Sequence, residues 1–310
     1  MKTAASIVRM HHAHQHNRPR IGLLAGWGEY PVCIAEKLNR LGYDVFALGL
    51  RGHADTRLGM LCREFRWIGA ARLGAAIRFF RRYDVHQATM AGKIQKAIFF
   101  QPLAFVKHVP DWRAIKTFAP HFLKNNKDRR DDSLLATLVN AFAEHGIEFR
   151  PPTNYVPELL VDYGLLTLRK PTAKQLKDVE FGWKLAKEMG RLDVGQTVAV
   201  KGQAALAVEA IEGTDECIRR AGKLCRAGGF TIVKVAKPQQ DMRFDVPTIG
   251  RGTLETMATA GATVLAVQAD KTIIVGEDQV IDFANRNKMV IVALEADGAT
   301  NSLNQQDVAA

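Results

Sequence analysis

The stretch IGLLAGWGEYPVCIAEKLNRLGYDVFAL, residues 21–48, decides the fold. Residues 21–25 form an apolar run too short for a buried helix and read as a buried strand. Gly26 and Gly28 permit a tight turn, 30–41 carries helical spacing and stops before Gly42, and 44–48 is the next strand. The same order recurs, with a strand at 65–68, a helix near 72–82 and a strand at 87–91 that closes on Gly92. Such alternation predicts a parallel sheet with helices on its faces. A further helix is expected over 131–145, with Asp131 or Asp132 at its start and Gly146 after its end.

Working outward, prolines recur at 151, 152, 157 and 171, and the inter-domain connection is placed there. Beyond it the pattern predicts a helix over 174–189 and strands over 197–201 and 205–210 about a turn at Gly202. A helix then follows, capped by Thr214 or Asp215. A strand at 230–236 leads into a polar stretch, 239–245. Next come a helix from Thr253, strands at 262–267 and 272–275, a helix from Asp278 and a strand at 289–294. The expected architecture is α/β in two domains: a Rossmann-like parallel domain over 20–165 and a mixed α/β domain over 166–296. A disordered basic tail, 1–19, and a polar tail, 297–310, flank them.

The composition is that of a globular protein: 310 residues, 47% hydrophobic and 24% charged. A chain this long buries a sufficient core without disulfides or structural metals. Cys33, Cys62, Cys217 and Cys225 form no Cys-x-x-Cys pair and have no histidine at metal-site spacing, which fits reduced thiols in a reducing compartment. The longest charge-free stretch, 256–269, is fourteen residues, short of the roughly 18 that a membrane-spanning helix needs. No apolar run follows the basic first twenty residues to make a signal peptide, so a cytoplasmic protein is expected. His11, His12, His14 and His16 belong to a solvated tail rather than to a metal site.

The net charge is +11, yet the segment 57–130 alone holds sixteen Lys or Arg against four acids. A local excess of this size suits a polyanionic partner: nucleic acid, an anionic membrane surface or a phosphorylated ligand. Arg78, Arg81 and Arg82, beside Phe79 and Phe80, read as the solvated face of an amphipathic helix, which is also the pattern of a helix lying on a membrane. No nucleic-acid-binding module is recognisable, and no nucleic-acid partner is expected.

Three stretches carry residue types suited to chemistry. In AGWGEYP, 25–31, Gly26 and Gly28 form a strand-to-helix turn, with Glu29 beside them, that lets backbone amides approach a phosphate. Position 31 is Pro, so the dinucleotide fingerprint is absent, and a merely tight turn explains the glycines equally well. QQDMRFDVP, 239–247, read as an extended segment, puts Asp241, Arg243 and Asp245 on one side and Met242 and Phe244 on the other. Two carboxylates suit Mg²⁺ or Mn²⁺ and the guanidinium suits a phosphate, while Arg243 bridging both acids as a structural ion pair accounts for them equally. The stretch 192–215 brings Asp193, Gln196, Glu209, Glu212, Thr214 and Asp215 near the ends of short strands. There Gly213 and Thr214 would open an anion-binding helix, with Lys234 and Lys237 in reach.

With IGLLAGWGEYP (21–31), MAGKI (90–94), DDSLL (131–135), GRLDVGQTVAV (190–200), LAVEAIEGTDECIRR (206–220), VKVAKPQQDMRFDVPTIG (233–250) and TLE (253–255), the sequence resembles the LpxI type of UDP-2,3-diacylglucosamine pyrophosphatase. The resemblance runs from about residue 20 to 295, and the family usually carries a small residue where Trp27 stands. It implies hydrolysis of UDP-2,3-diacylglucosamine to 2,3-diacylglucosamine 1-phosphate and UMP in lipid A biosynthesis, with Mg²⁺ as the divalent ion. It also implies a homodimer of two-domain chains that enclose the lipid between their domains, the second domain being catalytic. Asp245 and Asp241 are then the catalytic and metal-binding carboxylates, Asp245 matching the family's functional aspartate. Gly26, Gly28, Glu29, Gln196, Glu209, Gly213, Thr214, Asp215, Lys234, Lys237, Gln240 and Arg243 would bind substrate. The positive segment would hold the enzyme peripherally on the anionic inner face of the cytoplasmic membrane. Two other classes fit parts of the chain. One is a dinucleotide-dependent oxidoreductase, although no acid closes the second strand to take a ribose; the other is a non-catalytic lipid or membrane-surface binding protein.

Overall fold

The computed structural model describes residues 18–93, 110–123, 131–298 and 300. Both expected tails fall largely outside these residues, as do Lys96, Lys107, Lys124, Lys127, Arg129 and Arg130 of the basic segment. The chain forms two compact units that divide between Val156 and Pro157, earlier than the expected 165/166.

The first unit runs β1 (Arg20–Ala25), α1 (Tyr30–Arg40), β2 (Asp44–Leu50), α2 (Leu58–Leu61), β3 (Glu64–Ile68), α3 (Leu73–Arg82), β4 (Gln87–Ala91), α4 (Trp112–Leu123), α5 (Asp131–Ala143) and β5 (Glu148–Phe149). Its sheet has the order β3-β2-β1-β4-β5 and every pairing is parallel. Strand β1 is central because its side chains are consumed by the core: Ile21, Leu23 and Ala25 are fully buried. Chain direction across the sheet reverses at β1, so the crevice outside the carboxyl ends of β1 and β4 is the topological switch point, where such sheets bind ligands.

The second unit continues with β6 (Gly164–Leu165), α6 (Ala173–Arg191), β7 (Thr197–Lys201), β8 (Ala204–Val208), α7 (Thr214–Leu224), β9 (Phe230–Lys234), β10 (Thr248–Ile249), α8 (Arg251–Ala260), β11 (Ala262–Gln268), β12 (Ile273–Ile274), α9 (Glu277–Arg286) and β13 (Val290–Leu294). The main sheet has the order β6-β13-β11-β9-β7-β8, with β13, β11 and β9 parallel and the flanking strands antiparallel. The pairing of Gly164 and Leu165 with β13 puts them in this sheet and moves the boundary ahead of 165. Strands β10 and β12 pair separately.

Strand β11, ATVLAVQ, shows why the central strands read as unbroken apolar runs. Val264 and Ala266 pack with Val179, Trp183 and Ala186 of α6 on one face. Leu265 and Val267 pack with Ile218, Leu254 and Val280 of α7, α8 and α9 on the other. Both faces are dry, so no polar alternation is possible.

Helix α6 starts at a capping box in which Thr172 and Gln175 satisfy each other's backbone N–H groups. Its approach to the sheet depends on Gly182, where a Cβ would stand 2.7 Å from a Val233 methyl and 3.0 Å from one of Val200. Gly182→Ala gains up to about 1 kcal/mol of helix propensity but overpacks a tight contact, which costs about 1–3 kcal/mol. The expected outcome is a lower urea midpoint for the second unit. A midpoint at or above that of the unaltered chain would show that the helix can retreat without loss.

Candidate active site

The second unit gathers its polar residues at the carboxyl end of β9. Strand β9 ends at Lys234, antiparallel β7 begins there at Thr197, and β8 delivers Glu209 to the same end. Lys234 is 3% exposed, Thr214 5% and Glu209 8%. The Lys234 ammonium donates to Thr214 Oγ1 at 3.0 Å and to the Thr248 carbonyl at 3.2 Å, and Thr214 Oγ1 donates to Glu209 Oε1 at 2.9 Å. Gln196 N donates to the other Glu209 oxygen at 3.3 Å. Among the described residues Gln196 Oε1 is buried without a hydrogen-bond partner.

Thr214 opens α7 but does not cap it. The N-cap is Gly213, at φ +86°, and no side chain caps the helix, contrary to the expectation for Thr214 or Asp215. The Thr214 hydroxyl is committed to Lys234 and Glu209, and Asp215 accepts from Thr253 Oγ1 at 3.2 Å, joining the starts of α7 and α8.

A second group follows β9. Lys237 Nζ lies 2.7 Å from Asp193 Oδ1 and 3.6 Å from Asp245 Oδ2. Gln240 ties the loop across its width, accepting from Lys237 N at 2.8 Å and donating to the Asp245 carbonyl. The segment 241–245 is not extended, and this corrects the alternation read from the sequence. Asp245 N donates to the Asp241 carbonyl at 3.0 Å and Arg243 N to Asp241 Oδ1 at 3.0 Å, so the chain turns on its own aspartate. Arg243 does not bridge the two acids: it binds Asp241 alone, at 2.6–3.1 Å, and Asp245 faces Lys237 instead. Partial burial pushes the Asp241 carboxyl up, but hydrogen bonds from the Arg243 side chain and backbone outweigh this and hold it below the usual carboxylate value.

Two residues that the sequence reading missed brace this loop. Gln268 Oε1, at the end of β11, accepts from Ala236 N at 3.1 Å and from Lys187 Nζ at 2.6 Å, and Lys187 also donates to the Ala236 carbonyl at 3.2 Å. Burial and then repulsion from Lys271 lower the Lys187 pKa. The available signal was Gln268 itself, a glutamine ending an otherwise apolar strand.

Among the described residues no three His, Cys, Asp or Glu side chains come together as a metal-ligand set. A Mg²⁺ ion needs only one or two protein carboxylates when phosphates and water complete its shell. Asp245 fits that role, whereas Asp241, with both oxygens held by Arg243, fits it only on releasing the guanidinium.

In the first unit Gly26 and Gly28 differ. A Cβ on Gly26 would meet the Lys93 carbonyl oxygen at 2.7 Å, so its bareness is explained by the chain that crosses it. Gly28 has φ +106° with nothing within 4 Å of a built Cβ, and it borders open space. Glu29 is bound by Arg57 at 2.6 Å, and the same guanidinium holds Asp55 at 2.8 Å. The acid nearest the end of β2 is thereby occupied, which weighs against the oxidoreductase reading.

Fold and site together define a two-unit α/β protein with a lysine- and carboxylate-lined centre at the strand ends of its second unit. The model of the LpxI N-terminal domain matches residues 20–159 and that of the LpxI C-terminal domain residues 162–292. The chain belongs to the LpxI family. A relative from Caulobacter vibrioides, named UDP-2,3-diacylglucosamine pyrophosphatase LpxI, is 28% identical over 284 residues, covering 89% of this chain and 98% of the relative.

The Asp241–Arg243 pair makes a pH prediction. A carboxyl with a depressed folded pKa contributes stability that is present above its unfolded value, near 3.9, and is lost as pH falls through the folded one. Asp241→Asn should therefore lower stability at neutral pH by about 1 kcal/mol or less, given the exposure of the pair. The gap to the unaltered chain should close as pH falls below the unfolded value and through the depressed folded one. Denaturation midpoints measured across pH check this, and a gap constant down to acid pH would refute it.

Proposed function

We propose that this chain hydrolyses the pyrophosphate bond of UDP-2,3-diacylglucosamine, releasing 2,3-diacylglucosamine 1-phosphate and UMP, as a step of lipid A biosynthesis. The observation that carries the reading is Asp245 beside Lys237 in a chain that spans nearly the whole of a relative named for this pyrophosphatase. Hydrolysis of a phosphoanhydride needs a carboxylate to orient or deprotonate water and cations on the non-bridging oxygens. Asp245 supplies the carboxylate, and Lys237 and Arg243, both ahead of it on the same loop, supply the cations. Gln240 fixes the Asp245 backbone, and the Lys234, Thr214 and Glu209 network holds the strand ends that carry the loop. Mg²⁺, or another divalent ion such as Mn²⁺, would draw charge from the phosphate oxygens when bound, with Asp245 as its protein carboxylate.

The substrate carries two acyl chains and resides in a bilayer, while no described helix is long and apolar enough to cross one. The reading therefore puts the enzyme, as a homodimer, at the anionic inner face of the cytoplasmic membrane, attracted by its basic first unit.

Purified protein incubated with the UDP-lipid and Mg²⁺ should release UMP, and EDTA should abolish the release. Asp245→Asn should lower turnover by at least about 10²-fold with an unchanged denaturation midpoint. A folded Asp245→Asn protein with near-normal turnover would remove Asp245 from the mechanism. Gly28→Ala should raise the Kd for UMP by roughly tenfold, since it strains a left-handed backbone at the edge of the open space. Unchanged UMP affinity in the folded variant would reduce the turn to a structural role.

A further inference from the structure

The basic surplus of the first unit is not spread evenly, and part of it lines a depression at the end of the sheet opposite the glycine turn. Arg20 begins β1, Arg63 and Glu64 stand at the start of β3, and Arg82 and Tyr83 end α3, all at the amino ends of the parallel strands. With Phe46 they line an open depression of about 460 Å³, at which all three arginines are exposed. Strand β1 alone separates this end from Gly26 by roughly 20 Å at about 3.3 Å per residue, so the depression is distinct from the turn.

Its floor is aromatic, with Phe46 and Tyr83 stacked at 4.9 Å between ring centroids. Its lining acid, Glu64, accepts from the Tyr83 hydroxyl at 2.8 Å through Oε1, and Asp84 nearby lies 3.5 Å from Arg20 Nη1. Among the described residues neither Arg63 nor Arg82 has a carboxylate within 4.0 Å. Arg82 instead leans over the Tyr83 ring, its guanidinium carbon 5.8 Å from the centroid. A basic residue in the last turn of α3 complements the helix dipole, which would account for Arg82 without a ligand. Arg63 follows no such rule, since it stands before a strand. Two planar guanidinium groups, neither ion-paired among the described residues, line one depression and offer the fork geometry that a phosphate group accepts from two sides.

We propose that this depression is a phosphate-binding site formed by Arg63 and Arg82, with Arg20 at its edge. The phosphate belongs to a lipid head group or to a small soluble anion. The assignment does not depend on the hydrolytic reading, and UMP release tests that reading separately.

The full chain is sedimented with vesicles of phosphatidylcholine alone and of equal parts phosphatidylcholine and phosphatidylglycerol, and in a second arm is titrated calorimetrically with inorganic phosphate. Arg63→Gln/Arg82→Gln is compared with Lys223→Gln/Arg226→Gln, two exposed cations of the second unit. The site requires binding in at least one phosphate arm that the first pair weakens by at least about tenfold, as expected for two cations removed at a charged surface, and that the control pair retains. Loss confined to the phosphatidylglycerol vesicles assigns the lipid head group; loss with inorganic phosphate assigns the soluble anion. Absence of binding in both arms, undiminished binding by the first pair, or equal loss in the control pair would overturn the site.

Discussion

A lysine ammonium inside a protein must be met by hydrogen-bond acceptors or it discharges, and Lys234 is nearly as buried as Ile232 and Val233, which precede it. Two of its acceptors, Thr214 Oγ1 and the Thr248 carbonyl, come from the start of α7 and from β10, and Thr214 passes the contact on to Glu209 beyond β8. One cation therefore holds three separate returns of the chain at the end of β9. Removing it would take a donor from Thr214 and leave Glu209 buried in a weakened network. The loop that carries Asp241, Arg243 and Asp245 springs from this point, so its position is a consequence of how that charge is satisfied.

Much of the fold was legible because the central strands have no solvent face. Runs such as 21–25, 230–234 and 290–294 admit only a buried strand, and the glycines or helix patterns between them force parallel crossovers. Reading failed where a side chain competes with the backbone for hydrogen bonds. The segment DMRFD alternates polar and apolar with the period of a strand, yet Asp241 captures the N–H two residues on and bends the segment into a turn. Thr214 had the composition of a cap but is used by a buried lysine 20 residues away in sequence. The two units divide inside the proline-bearing stretch 151–171, within which strand β6, Gly164 and Leu165, is too short to show periodicity.

The candidate site was legible as a set of polar residues at strand ends, and the second unit does bring Gln196, Glu209, Thr214, Lys234, Lys237, Gln240 and Asp245 to one end of its sheet. Which of them touch could not be read from spacing. Lys187 and Gln268 meet across 81 residues, and only the closed sheet makes them neighbours. The choice of Arg243 for Asp241, and of Lys237 for Asp245, is likewise a matter of the turn and not of the residue types.

Strand β13 is the last element of the second unit among the described residues, yet in the sheet it lies between β6 and β11. Its neighbour β6 is made some 120 residues earlier and has nothing else in the sheet to pair with. During synthesis the first unit can close as soon as it has left the ribosome, since all its strands lie ahead of Val156. The second must wait, with the apolar edge of β11 uncovered, until the final strand arrives. A ribosome that stalled or a message that ended short of residue 290 would thus release a chain with one finished unit and one exposed sheet edge, a natural substrate for chaperones and proteases.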